Sequence, residues 1–117
     1  MESKYEKLIR KAYSDFNARN IDQVLSAMHP QVKWPNGWEG GFVHGHNEVK
    51  NYWIRQWKEL NPNVEPTAFR QRANGDLEVE VHQKVKDLQG ILLFDGTVKH
   101  VYTFENGLIT KMNIEEV

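Results

Sequence analysis

Cysteine is absent from the chain. That excludes disulfides, thiolate-bound zinc, iron–sulfur clusters and a cysteine nucleophile, and it leans toward a cytoplasmic setting. An excess of either charge is also missing: 15 Lys and Arg stand against 16 Asp and Glu, a formal net charge of −1. With no overall field to draw phosphate backbones or anionic lipid, neither nucleic acid nor a membrane is expected as a partner. The opening MESKYEKLIRKAY has charges at helical spacing and lacks a long apolar run, so it reads neither as a signal peptide nor as a membrane span. Internal repeats and low-complexity tracts are missing too. The four prolines and eight glycines gather mainly between residues 30 and 45 and at isolated turns.

What the chain does have is enough length for one core and a surplus of rings. Its 117 residues suit a single domain over 1–117, since two cores would each receive half that length. Surface scaling gives a folded area of roughly 6,600 Å² from about 20,000 Å² unfolded, so a core can form without covalent staples. Four tryptophans, four tyrosines and five phenylalanines must find places in or around it.

Helical periodicity comes first. Ser3 followed by Glu6 is a capping-box pattern, and Leu8, Ile9, Ala12, Tyr13 and Phe16 then share one face, which predicts a helix over about 3–19. Asn20 can cap a shorter helix carrying Ile21, Val24, Leu25 and Met28, until His29-Pro30 stops it. Gln31–Trp34 reads as a short extended piece and PNGWEGGFVHGH (35–46) as a loop. A third helix is expected over 47–60, with Val49, Trp53, Trp57 and Leu60 inward and Asn61-Pro62 ending it. After Pro66 the period changes to two, and strands are expected near 67–73, 77–87, 91–104 and 108–115. Asp95-Gly96 suggests a bulge in the third of these. Three helices followed by an antiparallel sheet make an α+β domain.

This order of elements, with the segments WPNG, VHGHNEVKNYW and HVYTFENGLITKM, resembles the NTF2-like superfamily and its SnoaL-like, polyketide cyclase-like branch. The resemblance covers nearly the whole chain. It implies a cone in which three N-terminal helices pack on a strongly bent antiparallel sheet, with an apolar-mouthed pocket between them and homodimers through the outer sheet face. These motifs specify a fold better than a reaction, because the superfamily hosts isomerases, cyclases, dehydratases, epoxide hydrolases, transport factors and plain binders.

Candidate site residues follow from strand parity. Val98, His100, Tyr102 and Phe104 share one face, and an inward His100 in apolar surroundings would have a depressed pKa and suit acid–base work. The position is similar to one from which ketosteroid-isomerase-like members present an oxyanion-stabilising acid; a buried histidine satisfied by a tyrosine or carbonyl is the structural alternative. The segment holding that family's proton-abstracting aspartate has Trp34 here, a donor only, which argues against the isomerase mechanism. Gln83 is the polar member of the Leu77, Val79, Val81, Val85 face and needs a polar partner or a ligand. Tyr13, beside the stripe of the first helix, could offer its hydroxyl to the cavity or satisfy it locally. Trp34, Trp38, Trp53, Trp57 and Tyr102 are candidate ligand walls, with Trp38 as a lid, although rings at helical spacing are also ordinary core.

Glu39 and Asp95 are read as turn or surface residues, either of which could orient His100. His44-x-His46 lacks the carboxylate that would complete a metal site. The Glu115-Glu116 end is read as solvated. The expected function is therefore binding of an apolar or polycyclic small molecule in an aromatic pocket. A proton transfer, cyclisation or dehydration would use His100, assisted by Gln83 or Tyr13, and require no metal and no cofactor. The rival is a non-catalytic module in which the rings are core and Glu80, His82 and Lys84 are dimer contacts. A metal-assisted enzyme using His44 and His46 is a third reading.

Overall fold

The computed structural model describes residues 4–37 and 39–115. Ser3, Trp38 and Glu116, which carried the capping box, the lid and part of the acidic end, lie outside the described residues. Helix α1 (Lys4–Asn17) buries Ile9 and Tyr13, with Leu8, Ala12 and Phe16 packed against the same core. It ends where Arg19 takes a left-handed φ of 65° and the Asn20 amide donates to the Asp15 carbonyl at 2.8 Å. Helix α2 (Ile21–Leu25) is a single turn. Asn20 holds its N-cap position through the backbone alone, without the expected side-chain bond.

Strand β1 (Met28–Pro35) starts earlier than the expected extended piece and runs through Pro30. Proline fits because β1's outer neighbour, β2 (Phe42–His44), pairs only with residues 33–35; at Pro30 that edge is open and no N–H is required. The expected loop 35–46 is thus a β-hairpin. Asn36 donates its amide to the Gly41 carbonyl and Gly40 donates to Asn36, both at 2.9 Å. Helix α3 (Gly45–Trp57) starts and ends earlier than expected. Glu48 Oε1 accepts from the His44 amide at 2.8 Å, which puts a carboxylate at the helix N-terminus where the macrodipole favours it.

Leu60, assigned to that helix from its period, instead opens β3 (Leu60–Gln71). The strand holds Pro62, expected to end the third helix, and Pro66, after which the strands were expected to begin. They are tolerated because β3 lies at the sheet edge and pairs only with β4 (Leu77–Asp87), leaving its outer N–H positions without a ladder partner. From α1, Asn17 Nδ2 donates to the Val64 carbonyl at 2.7 Å and Asn17 Oδ1 accepts from the Val64 amide at 2.9 Å. Arg19 Nη2 donates to the Pro62 carbonyl at 2.8 Å. The end of α1 therefore grips the free edge of β3.

The strands β5 (Leu92–Glu105) and β6 (Leu108–Glu115) complete a six-stranded sheet in the order β2-β1-β6-β5-β4-β3. All neighbours are antiparallel except β1 and β6, which run parallel, so the all-antiparallel expectation is corrected at one seam. The three helices do not all precede the sheet either, since β1 and β2 fall between α2 and α3. Asp95 and Gly96 pair in register with Lys84 and Gln83; the irregularity comes between Phe94 and Leu92, where β4 steps directly from Val85 to Lys86. The β5–β6 turn is Asn106-Gly107, with φ of 53° and 81°, both in the left-handed region that a tight hairpin turn favours. No helix of the described residues is long and apolar enough to cross a membrane.

The core lies between the helices and the inner sheet face, where Leu77, Val79, Val81 and Tyr102 meet Ile9, Val49 and Trp53. The outer face is polar: Arg72 bridges Glu78 at 2.9 Å and Glu115 at 2.8 Å, and His82 contacts Asp95 at 2.5 Å. Replacement of Trp53, 2% exposed, by alanine is expected to cost about 3–5 kcal/mol in urea unfolding. Lys84→Ala on the outer face should stay within about 0.5 kcal/mol of the parent.

Candidate functional site

Between helices and sheet lies a cavity of about 340 Å³. Tyr13 and Phe16 reach it from α1, Tyr52, Trp53 and Gln56 from α3, Trp34 from β1, Gln83 and Val85 from β4, and His100 and Tyr102 from β5. Strand parity explains the last four: Gln83 and Val85 continue the inward series of β4, and His100 and Tyr102 are two residues apart on β5. Phe94 and Ile114 also line the cavity but are about half exposed, which places them at its mouth. Phe94 lies across Gly96, where an added Cβ would meet the ring at 3.0 Å.

At the closed end three polar groups form a chain. The Tyr102 hydroxyl donates to the Tyr13 hydroxyl at 2.7 Å, and the Tyr13 hydroxyl lies 2.7 Å from His100 Nδ1. Tyr13 already accepts from Tyr102, so its own buried proton is satisfied by donating to Nδ1, which assigns the proton of the neutral ring to Nε2. That N–H has no hydrogen-bond partner among the described residues, and His100 is part of the cavity wall. Burial lowers the His100 pKa to about 4, because a charged imidazolium would lose its hydration. Burial likewise pushes both tyrosines up, Tyr13 further through its contact with Tyr102. The three groups are thus uncharged throughout the physiological range.

The rings form the remaining wall. Trp34 meets Trp53 edge-on, with centroids 5.8 Å apart, and lies 6.2 Å from Tyr102. Trp57, expected as a fourth wall, is behind it instead: it stacks on Trp53 at 5.9 Å, touches Phe16 and lies beneath the Arg19 guanidinium. One turn of helix places Trp57 next to Trp53 but carries it past the hollow, and its buried Nε1 has no partner among the described residues. The Gln83 amide makes no hydrogen bond among the described residues and borders the cavity.

Neither carboxylate considered for orienting His100 reaches it. Glu39 accepts from Asn36 and Arg55, both of which hold its pKa down, and Asp95 pairs with His82 on the outer face. The orienting group is the Tyr13 hydroxyl. His46 contacts the Met28 carbonyl through Nε2 at 2.9 Å, and no group of three metal-ligating side chains forms among the described residues. Sequence reasoning missed Tyr52, Gln56, Phe94 and Ile114 as lining residues. Tyr52 was readable, being one position before Trp53 on a buried helix face; Phe94 and Ile114 required knowledge of where the sheet ends.

Fold and cavity together define an NTF2-like α+β domain with an aromatic hollow. The chain belongs to the SnoaL-like domain family, whose model matches residues 9–112. An NTF2-like protein of unknown function from Burkholderia pseudomallei is similar over 99% of this chain and 92% of its own, with a TM-score of 0.85 and 24% identity. TerC, crystallised with polyporic acid, aligns over 98% and 92% with a TM-score of 0.84 and 26% identity. RV0760c from Mycobacterium tuberculosis, in complex with estradiol-17beta-hemisuccinate, aligns over 97% and 93% with a TM-score of 0.82 and 14% identity. No curated protein matches the chain.

The depressed His100 pKa makes a signed prediction. The folded state binds the His100 proton less readily than the unfolded state, so stability is complete above pH 6.5 and falls as pH drops from 6.5 to about 4. Across that window the parent should lose about 3 kcal/mol more unfolding free energy than His100→Gln. Urea titrations of both proteins at stepped pH measure the difference; parallel curves would contradict it.

Proposed function

We propose that the protein binds an apolar, ring-bearing small molecule in the cavity and promotes a proton transfer, cyclisation or dehydration there. Trp34, Trp53 and Tyr102 are the ligand walls, His100 is the hydrogen-bonding group at the reacting oxygen, and Tyr13 and Gln83 assist it. The observation that carries the reading is the hydrogen-bonded chain ending on an imidazole whose remaining N–H borders an aromatic hollow. Small-molecule ligands in TerC and RV0760c support the binding half of it.

The chemistry follows from the charge state. A neutral imidazole donating from Nε2 to a carbonyl oxygen stabilises the negative charge that develops there as an enolate forms and the neighbouring carbon gives up its proton to water at the open mouth, a step shared by aldol-type cyclisation and loss of water beside a carbonyl. Tyr13 holds the ring in the donating tautomer and Tyr102 holds Tyr13. Burial strengthens each of these bonds by excluding water. Gln83 can donate to or accept from a second oxygen.

Tryptophan fluorescence titrated with polycyclic ketones and terpenoids tests binding, with a saturable change expected because Trp34 and Trp53 touch the cavity. A flat response across the panel overturns the reading. For a ligand that is turned over, His100→Phe should lower kcat by about 100-fold or more. Unchanged turnover in that variant would remove His100 from the chemistry.

A further inference from the structure

We infer that the part of the ligand reaching the closed end of the cavity is an uncharged oxygen acceptor, a carbonyl or ether, and that the site discriminates against a carboxylate or an ammonium there. This rests on the cavity being the ligand site and adds the chemical class it admits. Among the described residues that line the cavity none is Asp, Glu, Lys or Arg. Several of the charges adjacent in sequence to its walls are engaged elsewhere: Arg55 with Glu39, Asp95 with His82, Lys99 with Glu78 and Glu115 with Arg72. A carboxylate moved into this hollow would give up its hydration and meet no counter-charge.

The polar end of the hollow is directional as well as neutral. Nδ1 is occupied by Tyr13, so His100 presents a donor and no lone pair to the ligand. An acceptor oxygen gains a hydrogen bond there, a hydrocarbon gains nothing, and an ammonium meets the positive end of the N–H dipole. Rescue of an anion by protonating His100 is opposed by the same burial that lowers its pKa. A charged substituent is compatible with binding only if it projects past Phe94 and Ile114 into solvent.

The test uses the unaltered protein and four probes on one ring system at pH 7.5: 2-acetylnaphthalene, 2-methylnaphthalene, 2-naphthoate and 2-naphthylmethylammonium. NMR titration of the indole N–H signals gives each Kd. The ketone should bind about fivefold more tightly than the hydrocarbon, and either ion that binds should show intermolecular NOEs from its charged end to Phe94 and Ile114 and none to His100. Either ion binding with its charged end giving NOEs to His100 overturns the charge rule while leaving the pocket reading intact. Equal binding of ketone and hydrocarbon overturns the donor role of His100. If none of the four binds, the pocket reading itself falls and the inference with it.

Discussion

The chain of bonds from Tyr102 through Tyr13 to His100 is the constraint around which this domain is arranged. It joins helix α1 to strand β5 across the middle of the core, and each hydroxyl that burial would otherwise leave unsatisfied is donated to the next group. A network of this kind contributes most when complete and is costly when broken. It fixes the depth at which α1 lies over the sheet, and that depth sets the height of the hollow. The same bonds select one tautomer of the imidazole, so packing and site chemistry share one set of atoms.

Much of the sheet was legible in the sequence. The alternation from Leu77 to Lys86 marks β4 with its observed limits, Leu77–Asp87, and Asn106-Gly107 marks the β5–β6 turn. The parity argument that turned His100 inward needed only the apolar neighbours Val98 and Phe104. The early part of the chain was harder to read. Pro62 and Pro66 look like breakers in isolation, and only the position of β3 at the sheet edge makes them compatible with a strand. Phe42–His44 was read as loop because three residues between glycines carry no period, and its pairing with Lys33–Pro35 is a long-range fact.

Of the site, residue identities were more legible than relations. His100, Tyr13, Gln83, Trp34, Trp53 and Tyr102 could be nominated from spacing, and all border the cavity. A tyrosine partner for a buried His100 was one of the readings; that it is Tyr13, and not Glu39 or Asp95, that orients the imidazole could not be read, because 87 residues separate the two partners and strand parity says nothing about which helix lies opposite. Trp57 shows the same limit from the other side: a four-residue step keeps it beside Trp53, but the local end of the hollow decides which of the two lines it.

The grip of α1 on β3 has an effect beyond positioning the helix. Along a strand, alternate residues direct their backbone groups to the same side, and the Asn17 contact identifies the solvent side at Val64. On that side Pro62 and Pro66 carry no amide proton, the Val64 amide and carbonyl are taken by Asn17, and the Pro62 carbonyl is taken by Arg19. An incoming peptide seeking to extend the sheet would find no free amide donor from Pro62 to Pro66. The outermost strand is thereby shielded against β-type self-association and aggregation.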